Sequence, residues 1–338
     1  MTASTVAGQA ETLLEARGLA RHYRARRGFF SPEVTVRALD GVSLELHPGE
    51  IFGIVGESGC GKSTLARLLV NIEPPSRGEV AYRGRVVSGL GRKAWRPLRR
   101  HIQIAFQDTR RSLDPRARII EQVREPLDIH AIGEPAERKA RSEAILREFG
   151  LEAHLWRRFP HEISGGQCQR VVLARAMILE PEILICDEPT SAADVSVQAQ
   201  VVGLLRELRA RTGVAILFIS HNLGLVKYLC DRVAVMYLGE IVEVAARKDL
   251  FADPQHPYTK ALLAAVPIAH PSAKGREPTL AGEPPSPANP PPGCRFHPRC
   301  ALAAGLCRNA RPDLKPLADD GWKVACHVVQ GDVAARAD

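Results

Sequence analysis

Short apolar runs alternate along the chain with longer stretches of helical spacing. This is the pattern of an α/β structure in which helices cover a mostly parallel sheet. Residues 51–55, 102–106, 183–186, 214–220 and 233–237 read as strands, each too short for a helix and mostly apolar. From Val197 to Arg211, the residues Val197, Val201, Leu204, Leu205 and Leu208 recur on one stripe, as on a helix lying across a sheet. Between Gln107 and Ser164 the strand signals stop. There 138–149 has helical spacing, with Ala144, Ile145 and Phe149 expected to face inward, and the segment reads as a small helical insertion. After Val266 the texture changes. Pro267 to Pro292 carries nine prolines and little periodicity, which predicts an extended segment ordered by contact.

Chemistry enters directly after the first strand. Gly56-Glu57-Ser58-Gly59-Cys60-Gly61-Lys62-Ser63 fits G-x-x-x-x-G-K-[ST] and leads into a helical run beginning at Thr64. Glycines let backbone N–H groups wrap phosphate oxygens, and the positive end of the following helix adds to the attraction. Lys62 is expected to reach the β- and γ-phosphates and Ser63 to hold Mg²⁺. Farther on, the strand 183–186 ends in Asp187-Glu188. One carboxylate is suited to assist Mg²⁺ and the next to orient or deprotonate an attacking water. Alone, the pair could close any buried strand; with the loop it becomes a second part of one site. Between them, Ile163-Ser164-Gly165-Gly166-Gln167 opens another helical run, and Ser-Gly-Gly at a helix start is a second anion site.

Together these parts resemble the nucleotide-binding subunits of ATP-binding cassette (ABC) transporters. The resemblance implies an α/β P-loop NTPase core with a helical subdomain, binding ATP and Mg²⁺. It implies that Ser164, Gly165, Gly166 and Gln167 of one subunit cap the ATP held by its partner, beside a cradle of Gly56, Ser58, Gly59, Cys60, Gly61, Lys62, Ser63 and Thr64. It assigns Tyr23 to stacking on adenine, and Gln107 to Mg²⁺, the γ-phosphate and the surface that meets the membrane subunits. His221, after strand 214–220, would hold the γ-phosphate and the attacking water, so that Glu188, His221 and Gln107 form the catalytic set. Ser191-Ala192-Ala193-Asp194 matches the D-loop with Asp194 kept. Two departures stand out: Ala193 where leucine is usual, and Ile163 where leucine begins the signature, a volume-conserving swap.

Pro160-His161-Glu162, His256-Pro257-Tyr258-Thr259-Lys260-Ala261-Leu262, Pro284-Pro285-Ser286-Pro287 and Gly293-Cys294-Arg295-Phe296 extend the likeness beyond the core. They resemble the ATP-binding subunits of bacterial oligopeptide and dipeptide importers, nearest the F-type of the two ATPases; a nickel-importing branch shares much of the pattern. This implies a nucleotide-binding domain over 1–265, with a helical subdomain at about 108–180, and an extension over 266–338. It also implies a heterodimer with a D-type sister ATPase, two membrane permease subunits and an extracytoplasmic peptide-binding protein. The chain would then lie on the cytoplasmic face of the bacterial inner membrane.

Four late cysteines, Cys294, Cys300, Cys307 and Cys326, are spaced C-x5-C-x6-C-x18-C in a loop-rich stretch too small for its own core. Such a stretch needs a staple, and a reducing compartment disfavours disulfides. Cys₄ zinc and unligated thiols stay open, although the paired C-x2-C knuckles of a zinc ribbon are missing. The family resemblance implies a [4Fe–4S] cluster on these four, with His297 and His327 as alternative ligands. Cys60, Cys168, Cys186 and Cys230 are scattered and read as ordinary thiols.

Composition narrows the classes further. With 45% hydrophobic and 25% charged residues among 338, the chain is neither disordered, collagen-like nor a disulfide scaffold. The net charge of +8 is spread through the chain without a solid basic block, so it suits an anionic ligand or a membrane surface as well as nucleic acid. A soluble cassette ATPase acting on nucleic acid is therefore the rival reading. No apolar run approaches the roughly 18 residues of a membrane span, and the opening MTASTVAGQA lacks the basic-then-apolar order of a secretory signal. A cytoplasmic chain that meets membranes through its partners is expected.

Overall fold

The computed structural model describes residues 11–26, 33–106, 108, 111–189, 195–265, 282–317 and 321–333. In chain order its elements are β1 (Leu14–Ala25), β2 (Val34–Leu46), β3 (Ile51–Val55), α1 (Lys62–Leu69), β4 (Arg77–Tyr82), β5 (Arg85–Val86), α2 (Arg92–Trp95), β6 (Ile102–Ala105), α3 (Ile119–His130), α4 (Pro135–Glu148), α5 (Gly165–Met177), β7 (Ile183–Asp187), α6 (Val195–Thr212), β8 (Ala215–Ile219), α7 (Leu223–Leu229), β9 (Arg232–Tyr237), β10 (Glu240–Ala246), α8 (Arg247–Ala252), α9 (Pro257–Ala264), α10 (Gly305–Asn309), β11 (Lys315–Pro316) and β12 (Lys323–Val324).

Eight strands form one sheet in the order β11-β12-β10-β9-β3-β8-β7-β6. Its strands β9, β3, β8, β7 and β6 run parallel, β6 forming one edge of the sheet. They coincide, to within a residue or so at each end, with the apolar runs of the sequence. The reason is burial on both faces: Ile51 and Val55 of β3 enter one hydrophobic cluster, Phe52 and Ile54 the other. A second, antiparallel sheet, β2-β1-β4-β5, is not foreseen by those runs. Along β2 exposed or half-buried positions alternate with buried ones, and the outward positions carry polar residues such as Arg37, Ser43 and Glu45. Alternation of this kind breaks the apolar run on which the strand reading relies.

The expected insertion helix is α4, with one correction. Ala144 is exposed and Ile145 half-buried, while Ser142, Leu146 and Phe149 are buried. Positions 142, 146 and 149 follow the i, i+4, i+7 rule of one helical stripe, which 144 does not join. Ser142 tolerates burial because its Oγ donates to the Arg138 carbonyl at 2.7 Å. On α6, Val201, Leu205 and Leu208 are buried and Leu204 half-buried, as expected; the Val197 side chain lies outside the described residues.

The stretch after the proline-rich segment is not isolated. β12 pairs antiparallel with β10 through Glu243↔Val324 and Val244↔Lys323, and Phe296 is buried in the larger hydrophobic cluster. Trp322 Nε1 donates to Glu243 at 3.0 Å. Sheet pairing and a shared core thus supply part of the ordering that the small module cannot supply alone.

Candidate active site

Parallel register brings the chemistry to one edge. Ile54 of β3 lies opposite Ile219 of β8, and Ile219 opposite Asp187 of β7. The carboxyl ends of the three strands are therefore level, and the loops leaving them open into the crevice where α/β sheets hold ligands. Those loops carry Gly56–Ser63, Glu188 and His221 respectively.

The loop after β3 needs two of its glycines for space as well as for conformation. Gly61, at φ 108°, caps α1, and a Cβ there would meet the Ala38 carbonyl oxygen at 2.4 Å. A Cβ on Gly56 would meet the Met236 carbonyl oxygen at 2.2 Å. Lys62 is buried, and its ammonium is satisfied by the carbonyls of Gly56 (2.9 Å) and Glu57 (3.0 Å). Cys60 is buried beneath the loop beside that ammonium, with its Sγ 3.9 Å from Lys62 Nζ. Ser63 Oγ donates to Asp187 Oδ1 at 3.0 Å, so the loop and the acidic strand meet. Thr64 is half-buried in the first turn of α1.

Asp187 is 3% exposed, and burial pushes its carboxyl above the usual carboxylate range, against the bond from Ser63. Glu188 follows at φ 46°, a left-handed conformation rare for a non-glycine residue, which turns the chain off β7; its N–H donates to Ile219 O at 3.0 Å. One Glu188 oxygen lies 3.8 Å from Lys62 Nζ and the other 3.3 Å from His221 Nδ1. His221 itself is largely exposed, held between the end of β8 and Asn222. The Asn222 side chain caps α7 by accepting from Gly224 N–H (3.0 Å) and Leu225 N–H (3.3 Å). A buried lysine, a carboxylate and an exposed imidazole are thus brought together, with Glu188 lying between the other two.

Ser164 caps α5 in a reciprocal box: Gln167 N–H donates to Ser164 Oγ (3.2 Å) and Ser164 N–H to Gln167 Oε1 (2.9 Å). Gly165 is exposed, with nothing within 4 Å of a built Cβ, and Gly166 is half-buried. Ile163 is buried in the core. The start of α5 is therefore rooted by Ile163, with Ser164 and Gly165 exposed and Gly166 half-buried.

An ABC transporter family model matches residues 39–191, and a model of the oligopeptide/dipeptide transporter C-terminal region matches 242–307. Similar proteins include the di/tripeptide transport ATP-binding protein DppF of Pseudomonas aeruginosa (strain UCBPP-PA14), 47% identical over 94% of this chain and 98% of its own length. The oligopeptide transport ATP-binding protein AppF of Bacillus subtilis (strain 168) is 44% identical over 96% of this chain and 99% of its own. The chain belongs to the ATP-binding proteins of peptide ABC transporters. It is an ATPase. Among solved structures, a dimeric ATP-binding cassette, MJ0796, in a post-hydrolysis state bound to ADP and Pi is similar, with TM-score 0.62 and 26% identity over 70% of this chain and 99% of that one.

In this ABC ATPase, Tyr23 sits on β1 with its hydroxyl donating to Glu73 at 2.6 Å and the Arg21 guanidinium 4.8 Å from its ring centroid. Gln107 and Asp194, with the rest of the D-loop, lie outside the described residues. Sequence reasoning missed Glu57 as a contact residue, because the motif leaves its position free, although structure ties it to Arg299 and Tyr258. No helix among the described residues is long and apolar enough to cross a membrane.

The four late cysteines line one small cavity with His256, His297 and His327. Burial pushes the Cys294 and Cys300 thiols up, to about 12 and about 11, with the neighbouring thiols adding to the rise. Without a cation these thiols are neutral. Among the described residues, no group of three or more His, Cys, Asp or Glu is arranged to hold a metal ion. Cys168, Cys186 and Cys230 are buried in the core, as ordinary thiols are.

Proposed function

We propose that this ATPase powers a bacterial peptide importer by ATP-driven closure of a dimer, each subunit completing the other's nucleotide site. The observation that carries the reading is the Glu188 carboxylate held between Lys62 and His221, 3.8 and 3.3 Å away, beside the Ser63–Asp187 contact. Lys62 binds the β- and γ-phosphates, and backbone N–H groups from Ser58 to Thr64 wrap the rest. Ser63 and Asp187 fit Mg²⁺: a hydroxyl and a buried carboxylate that lacks full compensation for its charge. Mg²⁺ there would neutralise charge on the β- and γ-oxygens. Glu188 orients and deprotonates water, and His221 holds it against the γ-phosphate. Gln107, Tyr23 and Asp194 take the roles the family resemblance assigns: coupling to the permease, adenine stacking and dimer contact. The exposed Ser164 and Gly165 at the start of α5, with half-buried Gly166 after them, suit capping a partner's ATP.

The partners are a D-type sister ATPase, two permease subunits and an extracytoplasmic peptide-binding protein, with this chain on the cytoplasmic face of the inner membrane. The names of the relatives support the peptide cargo. ATP consumption by the complex purified from native membranes and reconstituted in lipid should rise with di- or oligopeptide and its binding protein. Stimulation by nickel or by nucleic acid in place of peptides overturns the assignment.

The family resemblance implies that Cys294, Cys300, Cys307 and Cys326 would hold a [4Fe–4S] cluster; they line one small cavity, but as placed among the described residues they are not arranged around a metal ion. Ligation requires thiolates, so assembly releases protons from these raised thiols. Anaerobically purified protein should contain iron and sulfide that are lost in a Cys294→Ser/Cys300→Ser variant; stoichiometric zinc instead identifies the alternative metal.

A further inference from the structure

Glu57 stands inside the phosphate loop, at a position where the motif accepts any residue. Its main-chain and side-chain polar groups are nonetheless all engaged. Its carbonyl accepts from Lys62 Nζ at 3.0 Å. Its N–H donates to Tyr258 Oη at 3.0 Å, and its carboxylate accepts two bonds from Arg299, from Nη1 at 2.9 Å and Nη2 at 3.0 Å. The last two partners come from far along the chain. Tyr258 is on α9, and Arg299 ends a single turn, His297–Arg299, directly before Cys300.

Those partners are firmly seated. The Arg299 side chain is 5% exposed. Tyr258 is fully buried, its ring centroid 4.6 Å from that of Tyr237 and 5.4 Å from that of Phe296. Arg299 Nη1 also reaches Tyr237 Oη at 3.4 Å. A two-pronged guanidinium–carboxylate pair fixes direction as well as distance, and shielding from water strengthens it.

We propose that Arg299, backed by Tyr258, is a positioning residue for the phosphate loop, through which the four-cysteine module sets the affinity for ATP. The chain of contacts runs from Arg299 to the Glu57 carboxylate and from the Glu57 carbonyl to the Lys62 ammonium. A loop of N–H donors binds phosphate only in its cradling conformation, and apparent affinity falls in proportion to the fraction of molecules that hold it. Pinning Glu57 from outside raises that fraction. The inference rests on reading Gly56–Ser63 as the ATP-binding loop.

The test is a double-mutant cycle on the full-length protein, reading the Kd of a fluorescent ATP analogue with Mg²⁺ and hydrogen exchange of the loop amides. Arg299→Ala and Glu57→Ala should each raise Kd about tenfold and speed exchange, and the double variant should be no worse than the worse single. Arg299→Lys, keeping the charge without the fork, should fall between. In the assembled ATPase, KM should rise by the same factor with kcat within about twofold. An Arg299→Ala protein that folds and binds within about twofold of the parent overturns the proposal, as does an additive double variant. If Arg299→Ala does not fold, unchanged affinity and exchange in Glu57→Ala overturn it from the loop side. A Lys62→Ala protein that binds the analogue like the parent sinks the phosphate-loop reading, and the positioning role with it.

Discussion

Ser63 Oγ lies 3.0 Å from Asp187 Oδ1, joining residues 124 positions apart in the chain. The contact closes the loop after β3 onto the strand β7 and sets side by side the hydroxyl and the carboxylate proposed to hold Mg²⁺. Burial holds the Asp187 carboxyl above its ordinary range, so its ionised form is disfavoured in the metal-free fold. Its stability contribution is present at acid pH and is lost as pH rises through the folded pKa, leaving a net cost at neutral pH.

Asp187→Asn should therefore raise the Tm of metal-free protein at pH 7, with the gain shrinking as pH falls toward the ordinary carboxylate range. The same change should cut Mg²⁺-dependent ATP hydrolysis by about 10²-fold or more. Differential scanning calorimetry with EDTA at several pH values checks the first part. A lower Tm at pH 7 contradicts it.

Glu188→Gln keeps the shape beside Lys62 and His221 while removing the proton acceptor. Hydrolysis should drop by about 10²–10⁴-fold with ATP binding retained, and ATP should then accumulate a stable dimer on size-exclusion chromatography. Near-normal turnover would remove Glu188 from the catalytic role.

Gly165→Ala separates folding from capping. Nothing lies within 4 Å of a Cβ at Gly165, so alanine meets no obstacle within the subunit, and at this first residue of α5 its helix preference contributes less than the roughly 1 kcal/mol of a helix interior. The added methyl projects from the exposed start of α5, where a partner's nucleotide is expected. Tm unchanged or raised, together with a clear fall in ATPase rate, is the expected pair of results. Full activity with unchanged dimerisation argues against the cross-subunit cap.

His256 gives a pH signature in the C-terminal half. It is fully buried, its Nδ1 accepts from Tyr258 N–H at 3.0 Å, and burial lowers its pKa to about 3. The unfolded chain takes up a proton near pH 6.5 that the fold does not, so stability is lost as pH falls from about 6.5 toward 3. The loss attributable to this group approaches ~1.4 kcal/mol per pH unit inside that window. Urea unfolding should show a shallower acid dependence for His256→Asn than for the parent, though the variant is less stable overall. Equal slopes would place the titration elsewhere.

Local pattern carried much of the molecule. The central strands β3, β7, β8 and β9 were legible because a strand buried on both faces is a bare apolar run, whereas the edge strand β6 was read with Gln103 inside it and is half-buried at its middle. Gly56–Ser63 and Asp187-Glu188 stood out as motifs because the chemistry proposed for them tolerates few residue types at fixed spacing. The antiparallel strands β1, β2 and β4 were not, since one-sided burial dilutes the apolar signal with polar residues. Ala144 shows the same limit on a helix: periodicity gives the width of a stripe but only packing selects its centre, here Leu146.

What the folded chain alone decided is adjacency between distant residues. Level parallel strands place Glu188 and His221 beside Lys62, and pairing of β12 with β10 anchors the cysteine module on the sheet. No spacing rule could have seated Arg299 on Glu57, 242 residues earlier. Sequence motifs record the chemistry a segment needs for itself, whereas a contact across the core depends on how every intervening element packs.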